Sequence, residues 1–315
     1  MQDTALTASK AVSLPWSRRL LRIAFPYLLI APTLILVFIF TLYPAANAVI
    51  DSLYSIPRNA REAPVFVGLG NYADLFNPDH FIGATFTMVV GNTLFFAITS
   101  VLFSVPMSLG FALLLNQRMP LLGVWRFGIF YPALLPLIGA ASIWAFLFSD
   151  TVGLINTVLR SLGGTPVNWL GDPNLVLISV TLVNIWKQAG YYMIFYLAGL
   201  QNIPRELYEA AALDGAHGWG MFSSITLPLL RRTTLFVLVV NFIFAFQTVE
   251  QLQALGQGNP GDRGTLLLYL IFKTIPERRN WGYVNAMTVI LVLLLLSFTV
   301  ANFFLFERGR EDADA

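Results

Sequence analysis

A helix needs about 20 consecutive apolar residues to cross the hydrocarbon core of a bilayer. This chain supplies such runs repeatedly, at about 23–43, 84–115, 124–147, 174–200, 233–250 and 284–306. Backbone groups in lipid have to be satisfied within their own segment, so helices are the expected form of each run. The expectation is an all-α polytopic membrane protein with six transmembrane helices. Composition agrees: hydrophobic residues are 57%, charged residues 11% and mean hydropathy +0.69, against about 25% charged in a soluble domain. Residues 1–22 read as an amino-terminal and interfacial segment, 23–306 as the membrane domain and 307–315 as a charged, frayed tail.

The first run has the look of a signal peptide, with Arg18, Arg19 and Arg22 before it and Ala46-Asn47-Ala48 after it. It is too long for one and more spans follow, so it reads as an uncleaved first helix. The second run is longer than one bilayer requires; tilt, or a bend at Pro106, accommodates it. Residues 44–83 and 148–173 read as polar loops, and Thr265–Ile275 as a helix too short to span, lying at or dipping into the outer interface. Of the 19 Lys and Arg, eleven fall on the side of the amino terminus and seven on the other, with Lys187 inside a span. That bias puts both termini in the cytoplasm.

Chemistry is excluded more readily than found. With no cysteine there is no disulfide or thiolate site. His80 and His217 lie in different loops, which makes a histidine metal centre within the chain an unattractive reading. None of the three lysines, Lys10, Lys187 and Lys273, follows a glycine, so there is no phosphate-binding P-loop. No hydrolase motif occurs, and a net charge of +2 gives no case for nucleic acid. Ionisable residues at membrane depth are scarce too, which weighs against a secondary transporter coupled to an ion gradient.

Polar residues inside the runs are the candidates for a solute path. Lys187, Gln188 and Tyr191 sit together in the fourth run, Asn241 and Gln247 in the fifth, with Glu250 at its outer mouth. Amides and aromatic rings suit a sugar, and the competing reading is hydrogen-bonded glue between helices.

Between the fourth and fifth runs lies Pro204–Pro228, PRELYEAAALDGAHGWGMFSSITLP. Pro204 suits a first helical turn and Gly215 a stop, with a second short helix over about His217–Ser224. Glu209, Ala210 and Ala211, then Leu213-Asp214-Gly215, then Ile225 and Leu227-Pro228 resemble the EAA loop of binding-protein-dependent ABC importer permeases of the maltose and glycerol-3-phosphate type. The resemblance extends to Trp186, Gly190, Leu197–Gln201 and Glu206–Tyr208. It implies the fold of an ABC type I importer permease in a bacterial or archaeal cytoplasmic membrane, with this loop as a cytoplasmic coupling helix. It implies as partners a second permease subunit, two ABC ATPase subunits, an extracytoplasmic solute-binding protein and membrane lipids. It implies no cofactor in this chain, ATP and Mg being bound by the ATPase, and a sugar, oligosaccharide or polyol as substrate. A glycerol-3-phosphate importer is the alternative within that family.

Overall fold

A computed structural model describes residues 16–57, 61–277 and 280–311. Residues 1–15 and the end of the tail, 312–315, lie outside the described residues. The chain divides into two compact units, Met1–Ile50 and Asp51–Ala315.

The first unit is helical. Helix α1 (Trp16–Val37) passes through a π turn (Phe38–Leu42) into α2 (Tyr43–Asp51), so the helix continues past the expected span into residues read as loop. The π turn ends with Tyr43 N–H bonded to Phe38 O, one residue before Pro44. A proline has no N–H and its ring collides with the carbonyl four residues back, and widening one turn relieves both. The same device recurs in the second unit, where Leu227 N–H bonds to Phe222 O just before Pro228.

The second unit opens on a two-residue antiparallel ribbon, β1 (Tyr54–Ser55) and β2 (Val65–Phe66), with Tyr54 opposite Phe66. Short α3 (Gly70–Phe76) follows, and long α4 (Gly83–Leu115) matches the second run, with Pro106 inside it. The third run is not one helix. α5 (Leu122–Leu134) and α6 (Leu137–Leu147) meet at 100°, because Pro136 ends α5 and holds Leu135 extended, φ −71° and ψ 138°. After α7 (Leu154–Ser161) comes α8 (Val176–Gln201), the most thoroughly buried helix, which packs along α4 with α5, α6 and α12 (Arg231–Phe246) beside it.

The segment after α8 holds α9 (Arg205–Leu213), α10 (Trp219–Met221), the second π turn (Phe222–Thr226) and α11 (Leu227–Leu229). The fifth run also departs from expectation: α12 stops at Phe246, and Glu250 opens a separate helix, α13 (Glu250–Ala254). α14 (Leu267–Glu277) buries Leu267, Leu270 and Ile271 and packs on α4 and α15 (Trp281–Glu311), which runs beyond Phe306 into the charged tail.

Among the described residues three helical stretches are long and apolar enough to cross a membrane, Phe25–Asp51, Gly83–Leu115 and Trp281–Phe304, or five if each bent pair is one span. α8 has 26 residues, about 39 Å at 1.5 Å each. Its interior Asn184, Lys187 and Gln188 make it less apolar than those spans.

The α8 packing needs close backbone approach. A Cβ on Gly190 would run into the Ile129 carbonyl of α5, and one on Gly199 would meet Leu230 and Thr233. At one end of the bundle, buried Asn71 donates to the carbonyls of Ser52 (2.8 Å) and Tyr54 (2.9 Å). Asn71→Leu removes both of these buried hydrogen bonds, an expected loss of about 2–3 kcal/mol. Thermal unfolding of the detergent-solubilised chain checks this as a lower midpoint, with Gln117→Ala, an exposed position, as control.

Candidate functional site

Two places gather the residues singled out in the sequence. One is a polar cavity of about 400 Å3 lined by Ala133 of α5, Leu137 of α6, Asn184, Lys187, Gln188 and Tyr191 of α8, and Phe244, Gln247 and Thr248 at the end of α12. Four of the six candidate path residues meet there: Lys187, Gln188, Tyr191 and Gln247. They do so because Lys187, Gln188 and Tyr191 fall within about one turn of α8, and α12 brings Gln247 to the same level.

The other two are placed elsewhere. Asn241 is fully buried and donates from Nδ2 to Ser104 Oγ at 2.6 Å, joining α12 to α4. It faces a stripe of buried serines, Ser100, Ser104 and Ser108, spaced one turn apart on α4. Glu250 is exposed at the start of α13 and does not line the cavity.

Lys187 is 9% exposed, and its ammonium donates to the carbonyls of Leu135 (2.7 Å), Pro132 (3.1 Å) and Ala133 (3.2 Å). Those carbonyls end α5 at the elbow, where Pro136 supplies no N–H and Pro132 O accepts instead from Leu135 N–H at 3.3 Å. A lysine ammonium has three donors, and all three are engaged. Asn184, on the same face of α8 as Gln188, joins the lining as its place in that polar cluster suggests, whereas sequence reasoning missed Phe244 and Thr248 and missed the elbow. The Pro132-x-x-x-Pro136 spacing was the available signal for the elbow.

A larger groove of about 970 Å3 lies between α4, α5, α6 and α8. Phe95, Phe103, Met107, Ile178 and Leu182 dominate its wall, so it offers little to a hydroxyl-rich solute.

The second place is the segment from α9 to α11. Pro204 caps α9, whose side chains are mostly exposed: Glu209 pairs with Arg205 at 3.9 Å, Ala210 and Asp214 face solvent, Ala211 is half-buried and Leu213 is 90% exposed. Gly215 sits at φ +83°, and around it Gly215 N–H bonds to Ala212 O (3.2 Å) and Ala216 N–H to Ala211 O (2.9 Å). That is a Schellman stop, which requires the left-handed conformation glycine adopts at little cost. Ile225 lies in the π turn, half-buried, and Leu227 and Pro228 open α11 on the exposed side. A hydrogen bond of 3.0 Å between the Tyr208 and Thr226 hydroxyls staples the two arms. Beside it lies an open groove of about 420 Å3 lined by Leu113, Tyr208, Trp219, Met221 and Phe222. Trp219, 76% exposed, is an apolar anchor that the motif did not point to.

A long apolar α-helical chain with an exposed, glycine-stopped hairpin matches the family described as the binding-protein-dependent transport system inner membrane component, over residues 11–309. This chain belongs to that family. As an inner membrane component of such a system, it is a permease, and curated relatives of comparable length agree. It is 35% identical over 274 residues to the trehalose/maltose transport system permease protein of Thermococcus litoralis, covering 87% of this chain and 90% of that one. It is 33% identical over 284 residues to the sn-glycerol-3-phosphate transport system permease protein of Pectobacterium atrosepticum, covering 90% and 94%. In fold it is similar to a chain of a bacterial ABC transporter involved in the import of the acidic polysaccharide alginate, with a TM-score of 0.78 at 22% identity over 93% of this chain and 99% of that one.

Proposed function

We propose that this inner membrane component is a permease subunit of an ATP-driven importer for a neutral sugar, oligosaccharide or polyol. The polar cavity is its share of the solute path. Six spans, with α8, α12 and the bent α5–α6 pair each crossing once, put the termini and the α9–α11 hairpin in the cytoplasm. The hairpin docks on an ABC ATPase subunit that binds ATP and Mg, with Glu209, Ala210, Ala211, Leu213, Asp214 and Gly215 at the contact and Ile225, Leu227 and Pro228 anchoring it to α12. A second permease subunit completes the path, and an extracytoplasmic solute-binding protein delivers the solute on the other side. No catalytic step belongs to this chain.

The observation that carries the choice of substrate is the state of Lys187. Gln188 and Gln247 offer amides, and Tyr191 and Phe244 offer ring faces, a set suited to hydroxyls and the apolar faces of a sugar ring. Lys187 is the one cation among the described residues lining the cavity, and its three donors are taken by carbonyls. A phosphate wants free guanidinium or ammonium donors, and this wall has none to give. The glycerol-3-phosphate reading keeps the support of relatives at 33% identity.

An uptake screen tests the reading: the importer reconstituted with its cognate binding protein and ATPase, offered maltose, trehalose, arabino-oligosaccharides, polyols and glycerol-3-phosphate. Uptake confined to neutral sugars or polyols is expected; uptake confined to glycerol-3-phosphate overturns it. For the sugar so identified, Gln188→Leu is expected to raise the half-saturating concentration about tenfold, as the loss of one buried hydrogen bond of about 1.4 kcal/mol does. Membrane yield should not change, since Gln188 is half-buried and has no tertiary hydrogen bond to lose among those described.

A further inference from the structure

We infer that Lys187 is a positioning residue, a cation tethered to α8 that fixes the elbow between α5 and α6 and through it the wall of the polar cavity. The inference rests on the reading of that cavity as part of the solute path. An α-helix that ends inside a membrane leaves carbonyls without donors and a partial negative charge at its carboxyl end. α5 ends in this way: Pro136 has no N–H to continue the ladder and turns Leu135 extended, so Pro132 O is left with a 3.3 Å bond from Leu135 N–H in place of the helical one. A buried carbonyl left short of donors is costly.

Lys187 answers all of this from one atom. Its Nζ lies 2.7–3.2 Å from the carbonyls of Pro132, Ala133 and Leu135, which lie on both sides of the end of α5. Gly190, one turn further along α8, is flush against Ile129 and holds α5 at the distance from which the lysine reaches. Ala133 before the elbow and Leu137 after it both line the cavity, so the angle of the elbow is the shape of that wall. A lysine serving the solute directly would keep a donor turned inward, and this one has none left.

The test uses the full-length chain with its partner subunits in lipid nanodiscs. The sequence contains no cysteine, so spin labels attached before assembly to Val124→Cys of α5 and Phe146→Cys of α6, both exposed positions, report the elbow once the labelled chain is joined to unlabelled partner subunits. Lys187→Ala is expected to lower the ratio of the native-distance population to others about tenfold, as the loss of charge-assisted hydrogen bonds requires. Lys187→Arg, or propylammonium added to Lys187→Ala, which replaces the atoms removed, should restore the native peak. Lys187→Met, which fills the volume without the charge, should not. A native distance distribution in Lys187→Ala or in Lys187→Met overturns the inference. Should Lys187→Ala not be recovered from the membrane, Lys187→Met decides alone, broadened or native. The elbow readout needs no solute, so it is separable from the reading of the cavity. That reading fails instead if Gln188→Leu and Gln247→Leu leave uptake kinetics unchanged.

Discussion

Gly190→Val is expected to abolish recovery of a folded permease. Position 190 lies where α8 crosses α5, and even a Cβ there meets the Ile129 carbonyl and comes near the Phe130 backbone. The obstacle is main chain inside a helix, which cannot rotate aside as a side chain can. Overpacking a core costs about 1–3 kcal/mol when neighbours give way, and more when they cannot. The damage spreads, because separating α5 from α8 withdraws the Pro132, Ala133 and Leu135 carbonyls from Lys187 and leaves a buried ammonium unpaired. Size-exclusion of the detergent-solubilised protein reads the result as loss of the monodisperse peak. Gly128→Ala on the same α5 is the control, since nothing lies within 4 Å of a Cβ there and alanine favours the helix by about 1 kcal/mol. A monodisperse Gly190→Val with an unchanged melting point would contradict the α5–α8 packing described here.

Gly215→Pro is expected to abolish coupled uptake while the chain still inserts. Proline holds φ near −65°, and Gly215 sits at +83°. The substitution also removes the N–H that bonds to Ala212 O, so the stop of α9 is lost and the direction of the arm carrying Trp219 changes. The cost, about 3 kcal/mol, is local: Gly215 is exposed, with open space around it. Membrane yield and the melting point of the bundle should therefore stay close to those of the unmodified chain. Gly220→Ala, with open space beside it and no left-handed backbone requirement, should transport normally. Glu209→Lys adds a separate arm. Its pair with Arg205 is exposed and contributes little to stability, so a loss of uptake in that variant reports the contact with the ATPase. Normal uptake by both Gly215→Pro and Glu209→Lys would remove the hairpin from the coupling path.

The hairpin and the cavity were legible in the sequence to different degrees, for a physical reason. Turns are written locally. Pro204 and Gly215 bracket α9 within a residue or two of its observed ends, because a fixed φ at one end and a left-handed φ at the other are properties of single residues. Helices that face lipid on one side and protein on the other are written poorly. Apolar residues surround them, so hydrophobicity marks their length and hardly their direction. Asn241 and Gln247 looked alike in the fifth run. Only the packing of α12 turns one onto Ser104 and leaves the other at the cavity. The continuous hydropathy of residues 124–147 concealed the elbow, because a sum over apolar side chains takes no account of a missing N–H.

Length, lipid-compatible composition and the punctuation of one loop were enough, by themselves, to give a polytopic helical membrane protein with a glycine-stopped hairpin, and the resemblance of that loop to a known family pointed to a permease. Each depends on residues close together in the chain or on their total. Tertiary structure alone decided which polar side chains meet. The partners of Lys187 lie 52 to 55 residues away and are backbone carbonyls, whose availability depends on where a helix breaks and so leaves no mark in side-chain composition.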